Sequence, residues 1–101
     1  MLFPIMRFRV EDSSMEPILR PGDYVIVNRL AYVFGNPTKN DVIVLRDPLQ
    51  KDKFLIKRIA DIRDSEYFVI GDNKEISHDS RHFGPVESNS IVGKVWIRAR
   101  S

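Results

Sequence analysis

The chain has 101 residues, 43% of them hydrophobic and 30% charged, with a formal net charge of +2 and no cysteine. That length bounds it to one domain, residues 1–101, with a single modest core, and the composition excludes a disordered chain. Disulfides and thiolate chemistry are excluded outright, and so small a positive charge gives no argument for a nucleic-acid partner.

The opening stretch, Met1 to Met6, is apolar but stops at Arg7 and Arg9. A membrane-spanning helix needs about 20 apolar residues, and a signal peptide needs a basic region ahead of its apolar run. No integral membrane segment is therefore expected. A full-length chain of this kind would be soluble and cytoplasmic; a fragment of an anchored protein would be membrane-associated. Met1 to Ile5 serves equally as an apolar strand or as a peripheral contact with a membrane or partner.

Ile5 to Val10 alternates apolar and basic residues, the pattern of a half-buried strand. Met15 to Leu19 offers about one helical turn, ended by Pro21. After the turn residues Arg20 to Asp23, Tyr24 to Val27 reads as a buried strand. Asn28 to Phe34 fits either a second short helix or an irregular loop. Val42 to Leu45, following Asn36 to Asp41, is another buried strand. Phe54 to Ile62 is the longest run, and Tyr67 to Ile70 is its expected hairpin partner across Arg63 to Glu66. Ile91 to Ile97 closes the chain as a strand. Six short strands separated by Pro and Gly turns predict an antiparallel all-β barrel or sandwich, with at most one or two helical turns.

Three segments carry residues suited to chemistry. The first is Ser13-Ser14-Met15-Glu16-Pro17, a serine on a tight turn, with Met15 available to anchor in the core and Pro17 to stiffen the turn. The second is Phe54-Leu55-Ile56-Lys57-Arg58-Ile59, which sets a lysine inside an apolar strand. Burial disfavours an ammonium and lowers its pKa, which makes a lysine available as a neutral base. Alone, Lys57 would more simply be an edge-strand lysine facing water. The third is Gly71-Asp72-Asn73-Lys74-Glu75-Ile76-Ser77-His78-Asp79-Ser80-Arg81, a turn-rich run that ends in an Asp/Arg pair. A serine hydroxyl becomes a good nucleophile only when a neighbouring base takes its proton, and a lysine amine is one known base for it.

Taken in order, the three segments resemble the boxes of type I signal peptidases, serine proteases with a Ser/Lys dyad, over about Ser13 to Trp96. The resemblance implies Ser14 as nucleophile and Lys57, first of the Lys57-Arg58 pair, as base. It further implies Ser77 as a hydroxyl that orients the lysine amine, and Asp79 and Arg81 as a salt bridge holding that segment beside the site. Gly71, Asp72 and Asn73 would form the turn that delivers it, with Gly71 free to take a positive φ. No cofactor is implied, and the substrate is a protein precursor. Two departures stand out. The family often has Ser or Gly two positions before the nucleophile, where this chain has Asp12. A carboxylate facing a developing oxyanion opposes catalysis, so Asp12 is expected to point away and leave the Ser14 N–H as oxyanion donor. The second departure is the short passage from Lys57 to Gly71, without the large inserted β-subdomain of many members. That leaves a small-x-small cleavage preference weakly implied, and makes the chain more similar to compact soluble members such as the maturation peptidases of nickel-type superoxide dismutase.

Two other functions share the fold class. Self-cleaving domains of SOS-response repressors carry an Ala-Gly or Cys-Gly bond upstream of their serine, and this chain has neither dipeptide before Ser14. A non-catalytic β-barrel binding module would show a denser basic stripe with interleaved aromatics. His78 and His82 are four apart but sit in a segment not expected to be helical, so a metal pair is not read there; His82 is expected near Phe83 and His78 in solvent. Trp96 is read as core or as the rim of an apolar surface, and Arg7, Arg9, Arg98 and Arg100 as solvated strand edges.

Overall fold

The computed structural model describes residues 4–99, with side chains through Trp96. Seven strands form one antiparallel sheet: β1 (Ile5–Arg9), β2 (Tyr24–Asn28), β3 (Val42–Arg46), β4 (Phe54–Arg63), β5 (Glu66–Ile70), β6 (Val86–Glu87) and β7 (Ile91–Ala99). Their spatial order is β1-β2-β7-β3-β4-β5-β6, so the chain's last strand is inserted between β2 and β3. The pairing register shifts within β2–β7, β3–β7 and β4–β5. Such bulges bend a strand and increase its twist, and the sheet curls into an open half-barrel. The all-β expectation therefore holds, with β6 added to the six strands read from the sequence.

One four-residue helix, α1 (Ser80–Phe83), lies in the segment expected to be a turn. It is capped by the Asp79 carboxylate, which accepts the Arg81 N–H, and is followed by Gly84 at φ 82. Met15 to Leu19 forms turns, including an Leu19 N–H to Met15 carbonyl bond, and Arg29 to Gly35 forms an irregular loop. Pro17 follows a cis peptide bond.

Side-chain alternation divides the interior in two. Ile43, Leu45, Leu55, Ile59, Tyr67, Val69 and Val86 pack on one side. Val10, Met15, Leu19, Val25, Val27 and Val44 pack on the other. Strand β3 supplies both, because successive residues point to opposite faces. This accounts for its unbroken apolar run. Trp96 is 60% exposed and joins Pro4, Ile5, Leu30 and Phe34 along a surface groove, which places it on an apolar rim and not in the core. Arg7 stacks over the Tyr24 ring at 4.7 Å and Arg9 pairs with Glu11 at 3.7 Å. Met1 to Phe3, Arg100 and the Arg98 side chain lie outside the described part. Among the described residues no helix is long and apolar enough to cross a membrane.

The β4–β5 hairpin turns on Asp64 and Ser65, at φ 51 and 67. Two successive positive φ values make a type I′ turn, which suits the twist of a two-residue hairpin. A side chain costs about 1–2 kcal/mol in that region. Allowing for the greater unfolded-state freedom of glycine, Ser65→Gly should stabilise the protein by about 0.5–1 kcal/mol, a rise in Tm of about 2–8 °C. A lower Tm in thermal denaturation would contradict this turn geometry.

Candidate active site

Strand β4 buries Leu55, Lys57 and Ile59 on one face, and Lys57 is only 1% exposed. Its Nζ lies 2.7 Å from Ser14 Oγ, 43 residues away in sequence. Ser14 is itself 4% exposed, and Met15 beside it is fixed in the core. Burial pushes the Lys57 pKa below its ordinary value; Asp12, Asp79 and Asp47 oppose that shift and Arg81 adds to it. The contact serves both protonation states. An ammonium donates to Oγ, and the neutral amine accepts the Oγ–H proton.

The serine turn is strapped down by the third segment. Asn73 N–H donates to the Ser14 carbonyl at 2.7 Å, and the Asn73 side-chain amide donates to the Ser13 carbonyl at 3.2 Å. Gly71 makes this approach possible. A Cβ built there would come within 2.6 Å of both the Ser14 carbonyl oxygen and Ser77 Cβ. The glycine is needed for space, not for a positive φ: among the described glycines only Gly22 and Gly84 have one. Asp72 forms a two-bond ion pair with Arg58, at 2.8 and 2.9 Å, on the face of β4 opposite Lys57.

Asp79 is fully buried and holds the segment together. Its carboxylate accepts the Gly71 N–H at 3.0 Å, the Arg81 N–H at 3.1 Å, and the Arg81 guanidinium through two bonds of 2.9 Å. Burial opposes its ionisation, but the bonds from Arg81 and the Gly71 N–H, with the Ser77 hydroxyl nearby, outweigh that and hold its carboxyl far below the ordinary range. Arg81 also donates to the Lys74 carbonyl at 2.7 Å. Ser80 was not anticipated: its buried Oγ accepts the Val69 N–H at 2.8 Å and ties α1 to β5.

Three expectations need correction. Ser77 is buried at the site, but its Oγ makes no hydrogen bond with the described residues, so it does not orient the Lys57 amine here. Asp12 does not point away: its Oδ1 accepts the Ser14 N–H at 3.0 Å. An Asp that accepts an N–H two residues on is a common turn device, and the Asp12-Ser13-Ser14 spacing was the available signal. His78, and not His82, packs against Phe83, with ring centroids 5.1 Å apart. His78 Nε2 also lies 3.7 Å from the buried Asp47 carboxylate. Among the described residues no three metal-ligating side chains cluster.

Residues 1–62 and 59–99 match the family described as signal peptidase, peptidase S26. The chain belongs to that family. It is 29% identical to signal peptidase I of Bacillus caldolyticus, over 96% of this chain and 80% of the relative. It is 31% identical to the mitochondrial ATP-independent inner membrane protease subunit 1a of Arabidopsis thaliana, over 88% and 67%. Signal peptidase IB of Staphylococcus aureus (strain N315) shares 24% identity over 95% and 78%. The match to the Bacillus caldolyticus protein runs over 148 positions, more than this chain has residues, so that relative carries segments without a counterpart here. This signal peptidase-like chain is a serine endopeptidase.

Two substitutions test the physics of the site. Gly71→Ala forces the Ser14 turn off its strap, and displacements near 1 Å cost about 10²-fold in rate. Turnover of the variant should fall by that order while its far-ultraviolet circular dichroism stays native. Lys57→Met removes a buried amine whose pKa is lowered on folding. Between that lowered value and the unfolded value of about 10.4 the unfolded chain binds the extra proton, so wild-type stability rises with pH across this window. Lys57→Met should thus be more stable than wild type at neutral pH, by about 4–8 °C in Tm for each kcal/mol recovered. The advantage should shrink as pH approaches 10. An advantage that does not vary with pH would mean Lys57 is not buried as an amine.

Proposed function

We propose that this peptidase cuts with Ser14 as nucleophile and Lys57 as general base, removing an N-terminal leader or propeptide from a protein precursor. The observation that carries the reading is the buried Lys57 Nζ at 2.7 Å from Ser14 Oγ. The neutral amine takes the Oγ–H proton as Oγ bonds to the scissile carbonyl carbon. Collapse of the tetrahedral intermediate breaks the C–N bond, and the Lys57 proton passes to the departing amine. Water then attacks the acyl ester with Lys57 again as base, releasing the carboxylate product and restoring the Ser14 hydroxyl. Asp79, Arg81, Gly71, Asp72 and Asn73 support the site without touching substrate. Residues 1–101 act as one catalytic domain in this reading.

A cavity of about 50 Å³ opens beside Ser14, lined in part by Arg9, Val10, Leu55 and Ile56. Its size favours a small side chain next to the scissile bond. Among precursors, that of nickel-type superoxide dismutase fits a small chain lacking segments that a relative carries. The exposed apolar groove of Leu30, Phe34 and Trp96 is the surface through which a peripheral membrane or partner contact would form.

The test is covalent labelling. A serine-acylating inhibitor should add one acyl mass to the chain, at Ser14, and both Ser14→Ala and Lys57→Ala should abolish it. The wild-type acylation rate should rise with pH through the lowered Lys57 pKa, because only the neutral amine accepts the proton. Labelling that survives in Ser14→Ala would discard the dyad.

A further inference from the structure

In acyl transfer, negative charge collects on the former carbonyl oxygen, and the nucleophile's own backbone N–H is one of its ordinary donors. Here that N–H is already taken. Ser14 N–H donates to Asp12 Oδ1 at 3.0 Å, and Asp12 lies on the wall of the small cavity that opens on Ser14. We propose that Asp12 is an occluding residue whose carboxylate stands where the substrate's carbonyl oxygen must sit, so that it has to swing out before acylation. The inference rests on the Ser14/Lys57 reading.

The geometry makes the conflict direct. One N–H has one proton to donate, and a carboxylate left in place would put two negative oxygens at the same donor. Protonation does not relieve this. Burial opposes ionisation of Asp12, but the bonds from Ser14, with Lys57 and Lys53 nearby, outweigh it and keep the carboxyl below its ordinary range. Displacement does relieve it, because the Asp12 side chain is largely exposed and can rotate into water. Asp12 also opposes the lowering of the Lys57 pKa, together with Asp79 and Asp47 and against Arg81. The remaining charges on the cavity wall are Arg9 and Glu11.

Removing the carboxylate thus acts twice, and a pH profile separates the two effects. The acid limb of the rate moves to lower pH as Lys57 deprotonates more readily. The high-pH plateau, where Lys57 is neutral in every variant, reports occlusion alone. The experiment measures acylation by a p-nitrophenyl ester against pH, reading intact mass, for wild type, Asp12→Ser, Asp12→Gly and Asp12→Asn. A single oxyanion donor is worth about 10²–10³-fold in rate, so freeing one partly occupied should raise the plateau at least about 10-fold in the Ser and Gly variants. Asp12→Asn keeps an acceptor for the turn but loses the charge, and its plateau should fall between these and wild type. It also stands as the folded comparison if either other variant unfolds. Plateaus within about twofold of wild type, or below it, with acylation that still requires Ser14, would overturn the occlusion alone. No Ser14 adduct in any of the four would overturn it together with the dyad reading.

Discussion

Everything at the site depends on keeping an uncompensated amine out of water. Among the described residues no carboxylate contacts Lys57 directly; its Nζ meets a serine hydroxyl, and Leu55 and Ile59 flank it on the same buried face. Had an acidic side chain reached it, a stable ion pair would have locked the ammonium form and removed the base. The three aspartates that influence it are all otherwise engaged, Asp12 by the Ser14 N–H. Asp79 is committed to Arg81 and the Gly71 N–H, and Asp47 accepts the Leu49 N–H and faces His78. The polar network around the dyad thus satisfies its own charges and leaves the lysine poorly solvated. That is costly for folding and useful for proton transfer.

The second constraint is positional. Ser14 lies on a turn with little regular structure of its own, and such turns drift unless something outside them fixes the backbone. Asn73 supplies that by bonding two consecutive carbonyls, those of Ser13 and Ser14. Its segment is fixed in turn by Asp79 from one side and by the Arg58–Asp72 pair from the other. Ser14, Lys57 and the strap come from three separate stretches of chain, and the curled sheet brings them to one place.

Much of this was legible in the residues. Alone, Lys57 read more simply as a water-facing lysine and Gly71 to Arg81 as a surface turn; it was the order of the three segments together that pointed to a buried lysine beside a built segment. Alternation in Ile5 to Val10, and apolar runs bounded by turn residues elsewhere, located six strands to within a residue or two at their ends. What escaped was short or conformational. Strand β6 has two residues and α1 four, too few for any periodicity, although Asp79 before and Gly84 after α1 are ordinary cap residues. Gly71 was singled out for the wrong reason, because composition cannot distinguish a glycine needed for φ from one needed for room. The directions of the Asp12 and Ser77 side chains are single-rotamer facts. Asp12 turns towards Ser14 instead of away, and Ser77 Oγ meets no hydrogen-bond partner among the described residues.

The neighbouring residues Lys57 and Arg58 carry a further meaning. Because strand side chains alternate, the two face opposite sides of β4, and Asp72 grips the arginine in a planar two-point fit that an ammonium cannot reproduce. Slipping the β3–β4 pairing by one residue would exchange them and bring a guanidinium to Ser14. A guanidinium stays protonated at any working pH and could not take the part proposed for Lys57, and the same slip would turn Leu55 and Ile59 out of the core. The Arg58–Asp72 pair therefore fits the register that turns Lys57, the proposed base, towards Ser14.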